Sequence, residues 1–440
     1  MHINVSGTLA IMTILLYEGI WRKSFRSRKM AQDAQVHVVN QDDRDEHATI
    51  STSLSNLPPL APNNVRLQTR LFSMTANNIT YARMGSFAHW WDAFPVPSFL
   101  PTPYNDSTKY GIVPVWGYAE VISSHIECLK EGDVFYGFWP SSSLPIDLQL
   151  EPTKPAGHFI DTTPSRQSMW SYYHRYILAP ETIDLTSPEL AAQTVFKPLF
   201  DCAHALNTYV LGQHAIHPSP RTANSPWPHA DLSSTAIISL SASGKTALAL
   251  TDAVLNSRKP GSEPLGFLAI TSTPTLTLPT PSTSPIKPKT LSYASALSPE
   301  STSFLKSLPS TLTKILIIDF GGRASSLPSL LSHLRSHTPY LELGVIGVGS
   351  SPDTEDVLAA LASVPERVQM NTSEVREVVV EAIGAGEYFD GVREAWEGFC
   401  ERGGCEGVEV GVGRGVEELG RGWERLCGGK VGSGGLVYVL

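Results

Sequence analysis

From residue 235 onward, short apolar runs alternate with longer stretches of helical pattern. The runs at 236–240, 265–270, 315–319 and 343–348 are apolar or β-branched without polar alternation, as expected of strands buried on both faces. Their spacing leaves room for a helix between neighbours, which predicts βαβ units and a parallel sheet. Upstream, from residue 64 to 179, the runs are shorter and broken by Gly and Pro. There 111–123 and 133–138 read as strands of a small barrel. Residues 188–211 read as one or two helices, with Ala191, Ala192, Val195 and Leu199 on an apolar face. Residues 384–440 are rich in Gly and Glu, and predict helices anchored by Trp396 and Trp423 and a last strand at 436–440. The polar, aperiodic stretch 31–60 predicts disorder, the Thr/Ser/Pro-rich 273–290 a surface loop, and 214–231 an irregular insertion. There is no internal repeat.

These patterns divide the chain into a disordered or weakly apolar tail (1–60), a barrel-like substrate domain (61–195) and a nucleotide-binding domain (196–370). The last carries irregular insertions at 213–234 and 273–312, and a C-terminal segment (371–440) is expected to pack back on the first domain. A length of 440 residues accommodates this. The net charge of −9 gives no basic footprint for nucleic acid. Five scattered cysteines suit a reducing compartment, the cytoplasm, better than a disulfide framework. Cys400, Cys405 and Cys427 lack the paired spacing and nearby histidine of a metal site, so no metal is expected. Residues 5–20 are apolar but interrupted by Glu18 and followed by a basic run. They are shorter than a spanning helix and read as a tail or an upstream start before Met30, with a weak membrane anchor as the alternative.

The stretch with most chemistry is Ser241-Ala242-Ser243-Gly244-Lys245-Thr246, where an apolar run meets small residues and then a helical pattern. Open backbone amides and the helix dipole make such a loop an anion site. Gly244-Lys245-Thr246 supplies the end of a Walker A motif, and 315–319 ends in an aspartate that could hold Mg²⁺. The first Walker glycine, however, is replaced by Ser239. A dinucleotide loop fits the small residues, although GxGxxG is absent. The strand-rich region upstream decides for the dinucleotide.

Several segments resemble the medium-chain dehydrogenase/reductases that work without zinc, the quinone oxidoreductase-like group. Asn77-Asn78-Ile79-Thr80-Tyr81-Ala82-Arg83-Met84-Gly85 looks like the segment that passes their substrate cleft. Residues 114–122 and 130–137 are similar to their barrel hairpin. Asp319-Phe320-Gly321-Gly322 and the run Gly344 to Gly349 resemble the cofactor-facing strand ends. More closely, Phe196-Lys197-Pro198-Leu199-Phe200 and the Ser241–Thr246 loop resemble a family of unknown function beside those reductases. The resemblance implies an α/β protein with a GroES-like β-barrel domain and a Rossmann-type doubly wound parallel sheet.

It further implies a cofactor site at Ser241, Ala242, Ser243, Gly244, Lys245, Thr246, Thr271, Ser272, Asp319, Gly321, Gly347 and Gly349. Where NAD users end the second strand in an acid, this chain has Thr271 and Ser272, so NADP(H) is expected. Lys245 would supply the positive charge, or else Lys287 and Lys289, although these two read more readily as solvated loop lysines. The cysteine cluster of the zinc enzymes is absent, so either a side-chain donor polarises the substrate or the hydride goes to an already activated acceptor. Tyr81 is the first expected donor and Asn78 the second, against the alternative of a core tyrosine; His89 among its tryptophans reads as structural. The expected function is NADP(H)-dependent reduction of a small or medium enone, quinone or carbonyl. The rivals are a non-catalytic nucleotide-binding sensor or scaffold and a P-loop-like NTPase. Expected partners are a small-molecule substrate and, for the oligomer, a second copy in a homodimer, with no nucleic acid.

Overall fold

The computed structural model describes residues 33–440 apart from 213–214, 224–226, 274–275, 279–285, 287, 322–324, 350–363, 365–366, 407 and 433. The first 32 residues, with the expected tail or anchor, lie outside the described residues.

Residues 33–60, expected to be disordered, instead begin with β1 (Asp33–Asn40) and β2 (His47–Ser53), an antiparallel pair. Their polar composition hides Val36, Val38 and Val39, which are fully buried. The partner is the helix Gly415–Cys427, whose Trp423 lies edge-on to His37 and donates to the Arg44 carbonyl at 2.8 Å. A partner so far along the chain leaves no local signal.

The barrel follows: β3 (Val65–Met74), β4 (Tyr110–Gly111), β5 (Pro114–Ser124), β6 (Val134–Pro140), β7 (Ile146–Leu148), β8 (Leu150–Thr153), β9 (His158–Asp161) and β10 (Arg175–Leu178). β4 joins β1. The others run β3-β5-β6-β10-β9-β8, with β7 on the edge of β3 away from β5. Consecutive strands β7 and β8 thus stand at opposite ends of the path, so the sheet curls on itself.

The helix Pro188–Ala205 leads out of the barrel, capped by Ser187, which accepts from the Leu190 amide. Pro198 sits inside this helix and has no N–H to give the Thr194 carbonyl. The Ser73 hydroxyl of β3 donates to that carbonyl at 3.0 Å and ties the helix to the barrel.

β11 (Thr235–Leu240), β12 (Gly266–Thr271), β13 (Pro288–Ser292), β14 (Lys314–Asp319), β15 (Glu342–Gly347) and β16 (Arg367–Gln369) form one parallel sheet in the order β13-β12-β11-β14-β15-β16. This is the doubly wound order of dinucleotide-binding folds. Along β11, Ile237 packs into one flanking core while Ala236 and Ile238 pack into the other, which is why the run is apolar throughout. The stretch 273–312 is not wholly irregular: it holds β13 and the helix Pro299–Lys306.

The segment after residue 370 divides. The helices Thr372–Ile383 and Ala385–Glu401 pack with the sheet's core, through Val375, Tyr388 and Phe399. β17 (Val410–Arg414), the helix Gly415–Cys427 and β18 (Gly435–Val439) return to the barrel, where β18 lies between β17 and β3. Among the described residues no helix is long and apolar enough to cross a membrane, and no group of His, Cys, Asp or Glu could hold a metal ion.

Candidate functional site

β11 lies at the centre of the parallel sheet, and the chain turns sharply at its carboxyl end. Ser241 takes a left-handed φ of 69°, and its hydroxyl lies 3.0 Å from that of Tyr293. The Ala242 amide donates to the Ile270 carbonyl at 2.9 Å, which pins the turn to β12. Gly244 then caps the helix Lys245–Asn256 without any side-chain hydrogen bond. A Cβ at Gly244 would touch only the Ser241 carbonyl, at 3.4 Å, so the space above the helix start is open. This is a cradle for a phosphate: small residues, an uncapped first turn and the positive end of the helix dipole.

Lys245 does not serve the cradle as expected. Its ammonium donates to the Gly434 carbonyl at 2.7 Å, just before β18, and burial pulls its pKa down to about 8. Ser239 is likewise no part of a phosphate loop. It is still within β11, paired with Ala269 and Ile318, so a Walker A turn has no room to form. Thr271 is buried and its hydroxyl accepts from the Thr273 amide at 3.0 Å, whereas Ser272 is exposed. Lys287 lies outside the described residues, and Lys289 pairs with Glu300 at 3.2 Å.

At the ends of the next strands, Asp319, Gly321, Gly347 and Gly349 gather around Arg367. The Asp319 carboxylate accepts from the Gly321 amide at 3.0 Å and pairs with the Arg367 Nε at 3.4 Å. Arg367 also donates to the Gly349 carbonyl at 2.8 Å and to Gln369 at 2.7 Å. A Cβ on Gly347 would overlap the Arg367 guanidinium, so a larger residue there requires that side chain to shift. Burial pushes the Asp319 carboxyl up and the Arg367 guanidinium down, each opposed by the other's charge.

Beside the β16 end of the sheet, a cluster of aromatic and charged side chains packs against the barrel. The link is direct: Thr372, just past β16, donates to Cys202 at 3.2 Å, on the helix that leads out of the barrel. One turn earlier on that helix, the Lys197 ammonium sits 4.4 Å over the Tyr136 ring of β6. Asp201 accepts from the Tyr172 hydroxyl at 3.3 Å, and Arg376 lies 4.3 Å over the Tyr172 ring. The Trp116 indole joins the two halves, stacking on Tyr136 at 5.8 Å and edge-on to Tyr172 at 5.5 Å. Burial pulls Lys197 down and Asp201 up from their ordinary values. The Tyr136 hydroxyl is buried with no hydrogen-bond partner, and burial raises its pKa well above the usual value.

Both expected donors are engaged within the barrel. Asn78 is spent on structure, its Oδ1 accepting from the Thr75 amide at 2.8 Å and its Nδ2 donating to the Pro114 carbonyl at 2.9 Å. Tyr81 is 4% exposed and accepts from the Trp116 indole N–H at 3.0 Å. Trp90, Phe138 and Tyr173 stand edge-on around its ring, and burial pushes it up to about 12. His89, expected to be structural, is exposed and pairs with Asp92 at 2.8 Å. Sequence reasoning missed Tyr136, Tyr172, Lys197, Asp201, Arg376, Tyr293 and Arg367. Lys197 and Asp201, four apart beside Phe196 and Phe200, were a usable signal; the others are polar residues whose partners are distant in the chain.

A family model described as a protein of unknown function, DUF2855, matches residues 72–432. No curated protein matches the sequence. Among solved structures, a Bacillus thuringiensis protein assigned as an NADPH:quinone reductase superposes with a TM-score of 0.53 at 10% identity, covering 93% of this chain and 100% of that one. The structure of Etr1p with NADP and crotonyl-CoA gives 0.52 at 12% identity, with 93% and 100% covered. A mutant enoyl thioester reductase from Candida tropicalis gives 0.51 at 11%, again with 93% and 100% covered. At such identities the likeness is one of fold: a barrel domain followed by a Rossmann-type domain, as expected from the sequence.

Proposed function

The chain belongs to the DUF2855 family, and we propose that it is an NADP(H)-dependent, zinc-independent reductase of a small or medium enone, quinone or carbonyl compound. One observation carries the reading: the left-handed turn at Ser241 opens onto an uncapped helix at the centre of a sheet in dinucleotide-binding order. Amides of the Ser241–Thr246 turn would hold the pyrophosphate. The neutral Thr271–Ser272 end of β12, with the Ser241 and Tyr293 hydroxyls 3.0 Å apart, suits a 2′-phosphate better than an acid would. NADPH, when bound, supplies a hydride. The Tyr136 hydroxyl, kept protonated by burial, would donate to the substrate oxygen as charge grows there, with the Lys197 ammonium adding its field. The Trp116 and Tyr172 rings keep water from that oxygen. The setting of this reading is the cytoplasm, with a small-molecule substrate as partner.

Titration of the protein with NADPH, NADH and ATP–Mg²⁺ tests it. NADPH should bind more tightly than NADH, and ATP–Mg²⁺ weakly. Gly244→Val, which fills the open space, should abolish NADPH binding while the far-ultraviolet spectrum is unchanged. Equal affinity for the two dinucleotides would remove the NADP assignment.

A second reading, a nucleotide-binding sensor without catalysis, has one observation in its favour. Arg367, from the start of β16, and Asp319 occupy each other at the carboxyl end of β14, where the second half of a dinucleotide lies in this fold. NADPH binding without turnover across a panel of enones and quinones would favour it. The NTPase reading loses its ground with Ser239 in β11 and Lys245 on the Gly434 carbonyl.

A further inference from the structure

The helix Ala385–Glu401 ends in a turn that reverses the chain. The Gly404 amide donates to the Phe399 carbonyl and the Gly403 amide to the Cys400 carbonyl, each at 2.9 Å, which satisfies acceptors that a helix end leaves open. Such a turn needs a left-handed residue at 403, and Gly403 takes a φ of 75°. A Cβ on Gly404 would overlap the Phe399 ring, so the chain doubles back closely. Cys405 is thereby laid against the last turn of the helix, its Sγ 3.8 Å from that of Cys400. The turn is also held from its middle. Arg402 donates from Nε and Nη2 to the two oxygens of the buried Asp252, at 3.1 and 2.6 Å, on the helix Lys245–Asn256. Both thiols are half-buried, and Glu401, Arg402 and Glu406 beside them are exposed, so the pair lies at the surface. The other cysteines stand elsewhere: Cys128 between β5 and β6, Cys202 against Thr372, and Cys427 at the end of the helix Gly415–Cys427.

The two thiols are not equivalent. The Cys405 S–H and then the Lys197 ammonium lower the pKa of Cys400 against the effect of burial, whereas Cys405 is raised by its bond to Cys400 and by burial. Thiolate is the attacking form in disulfide exchange. We propose that Cys400 and Cys405 are a redox-active dithiol that closes reversibly to a disulfide by exchange with a small disulfide such as oxidised glutathione. The Cys400 thiolate attacks one glutathione sulfur, that S–S bond breaks, and one glutathione leaves with the proton that Cys400 lost. Cys405 then attacks the Cys400 Sγ of the mixed disulfide. The protein S–S bond forms, and the second glutathione leaves with the Cys405 proton. Two protein thiols are oxidised and one glutathione disulfide is reduced. Bonded sulfurs stand about 2 Å apart, so closure takes up roughly 2 Å across a turn that already brings them face to face. Nothing in this exchange depends on the reductase reading.

The test equilibrates the full chain in glutathione buffers of graded oxidised-to-reduced ratio, both native and unfolded in guanidinium. Acid quenching, alkylation and peptide mass spectrometry then locate each thiol and bridge. The native chain should form the Cys400–Cys405 disulfide with an equilibrium constant at least ten-fold above that of the unfolded chain. Dithiothreitol should reverse it, and the far-ultraviolet spectrum should stay unchanged. In Cys405→Ser, one glutathione should accumulate on Cys400; in Cys400→Ser, Cys405 should take up glutathione at least ten-fold more slowly. Equal constants in the native and unfolded chain would show that the fold does not build the pair, and would overturn the proposal. So would both cysteines remaining alkylated in fully oxidised buffer, bridges to other cysteines in their place, or loss of the native spectrum on oxidation. Equal uptake in the two serine variants overturns Cys400 as the attacking thiol.

Discussion

Two tyrosines flank the Trp116 indole, and their environments assign them different work. Tyr81 receives the indole N–H at 3.0 Å, whereas Tyr136 stacks on the ring and leaves its own hydroxyl without a partner. Tyr136→Phe should therefore lower turnover roughly ten-fold or more with NADPH affinity unchanged. Tyr81→Phe should leave turnover within about two-fold, the scale of a second-layer contact. The reverse order in steady-state kinetics would restore the donor role to Tyr81. A motif segment drew attention to Tyr81, but no pattern within β6 shows that Tyr136 faces a lysine on a helix sixty positions on. At the same scale, His37 is fully buried against His47 and Trp423, and burial first, then His47, lowers its pKa to about 3. The unfolded chain takes up that proton near pH 6.5, so this site favours the folded state above 6.5 and loses that advantage as pH falls towards 3. The loss is on the order of 5 kcal/mol. Urea midpoints should fall between pH 6.5 and 4, and His37→Gln should flatten that slope.

Element by element, legibility followed burial symmetry. β11, β12, β14 and β15 were readable because both faces are buried and their runs are continuous in apolar residues. The edge strands β13 and β16, Pro288–Ser292 and Arg367–Gln369, carry polar residues and gave no such run. The phosphate turn was legible from its small residues, but the direction of Lys245 was not, since its acceptor comes from the far end of the chain. Gly347 shows the same limit: it looked like a cofactor contact, and the structure presses the Arg367 guanidinium against it. Gly347→Ala must therefore displace Arg367 from Asp319 and the Gly349 carbonyl, costing roughly 1–3 kcal/mol as an overpacked site. A thermal midpoint equal to that of the parent would show that the guanidinium moves freely and that the pair does not hold these strand ends together.

Across the whole molecule, the two domains are joined by the last strand as much as by the chain between them. β18 is an interior strand, with Val437 paired to Ser73 of β3 and to Val412 of β17, and the carbonyl just before it accepts from Lys245 at the nucleotide turn. A terminal strand is legible in the sequence, but not that it would lie between two other strands and touch the other domain. Nucleotide binding at the turn should consequently stabilise the barrel as well. At about a hundred times its dissociation constant, NADPH should add roughly 2.7 kcal/mol to a domain whose unfolding releases it. If Lys245 transmits that effect, saturating NADPH should raise the unfolding midpoints of both domains in the wild type, followed by tryptophan fluorescence and hydrogen exchange in β3 and β18. In Lys245→Met, NADPH should protect β11 to β15 while protection of β3 and β18 stays at the level without nucleotide. Unchanged protection of the barrel in that variant would mean that the domains communicate through the helix Pro188–Ala205, where Ser73 holds the carbonyl left free by Pro198, and not through the C-terminal strand.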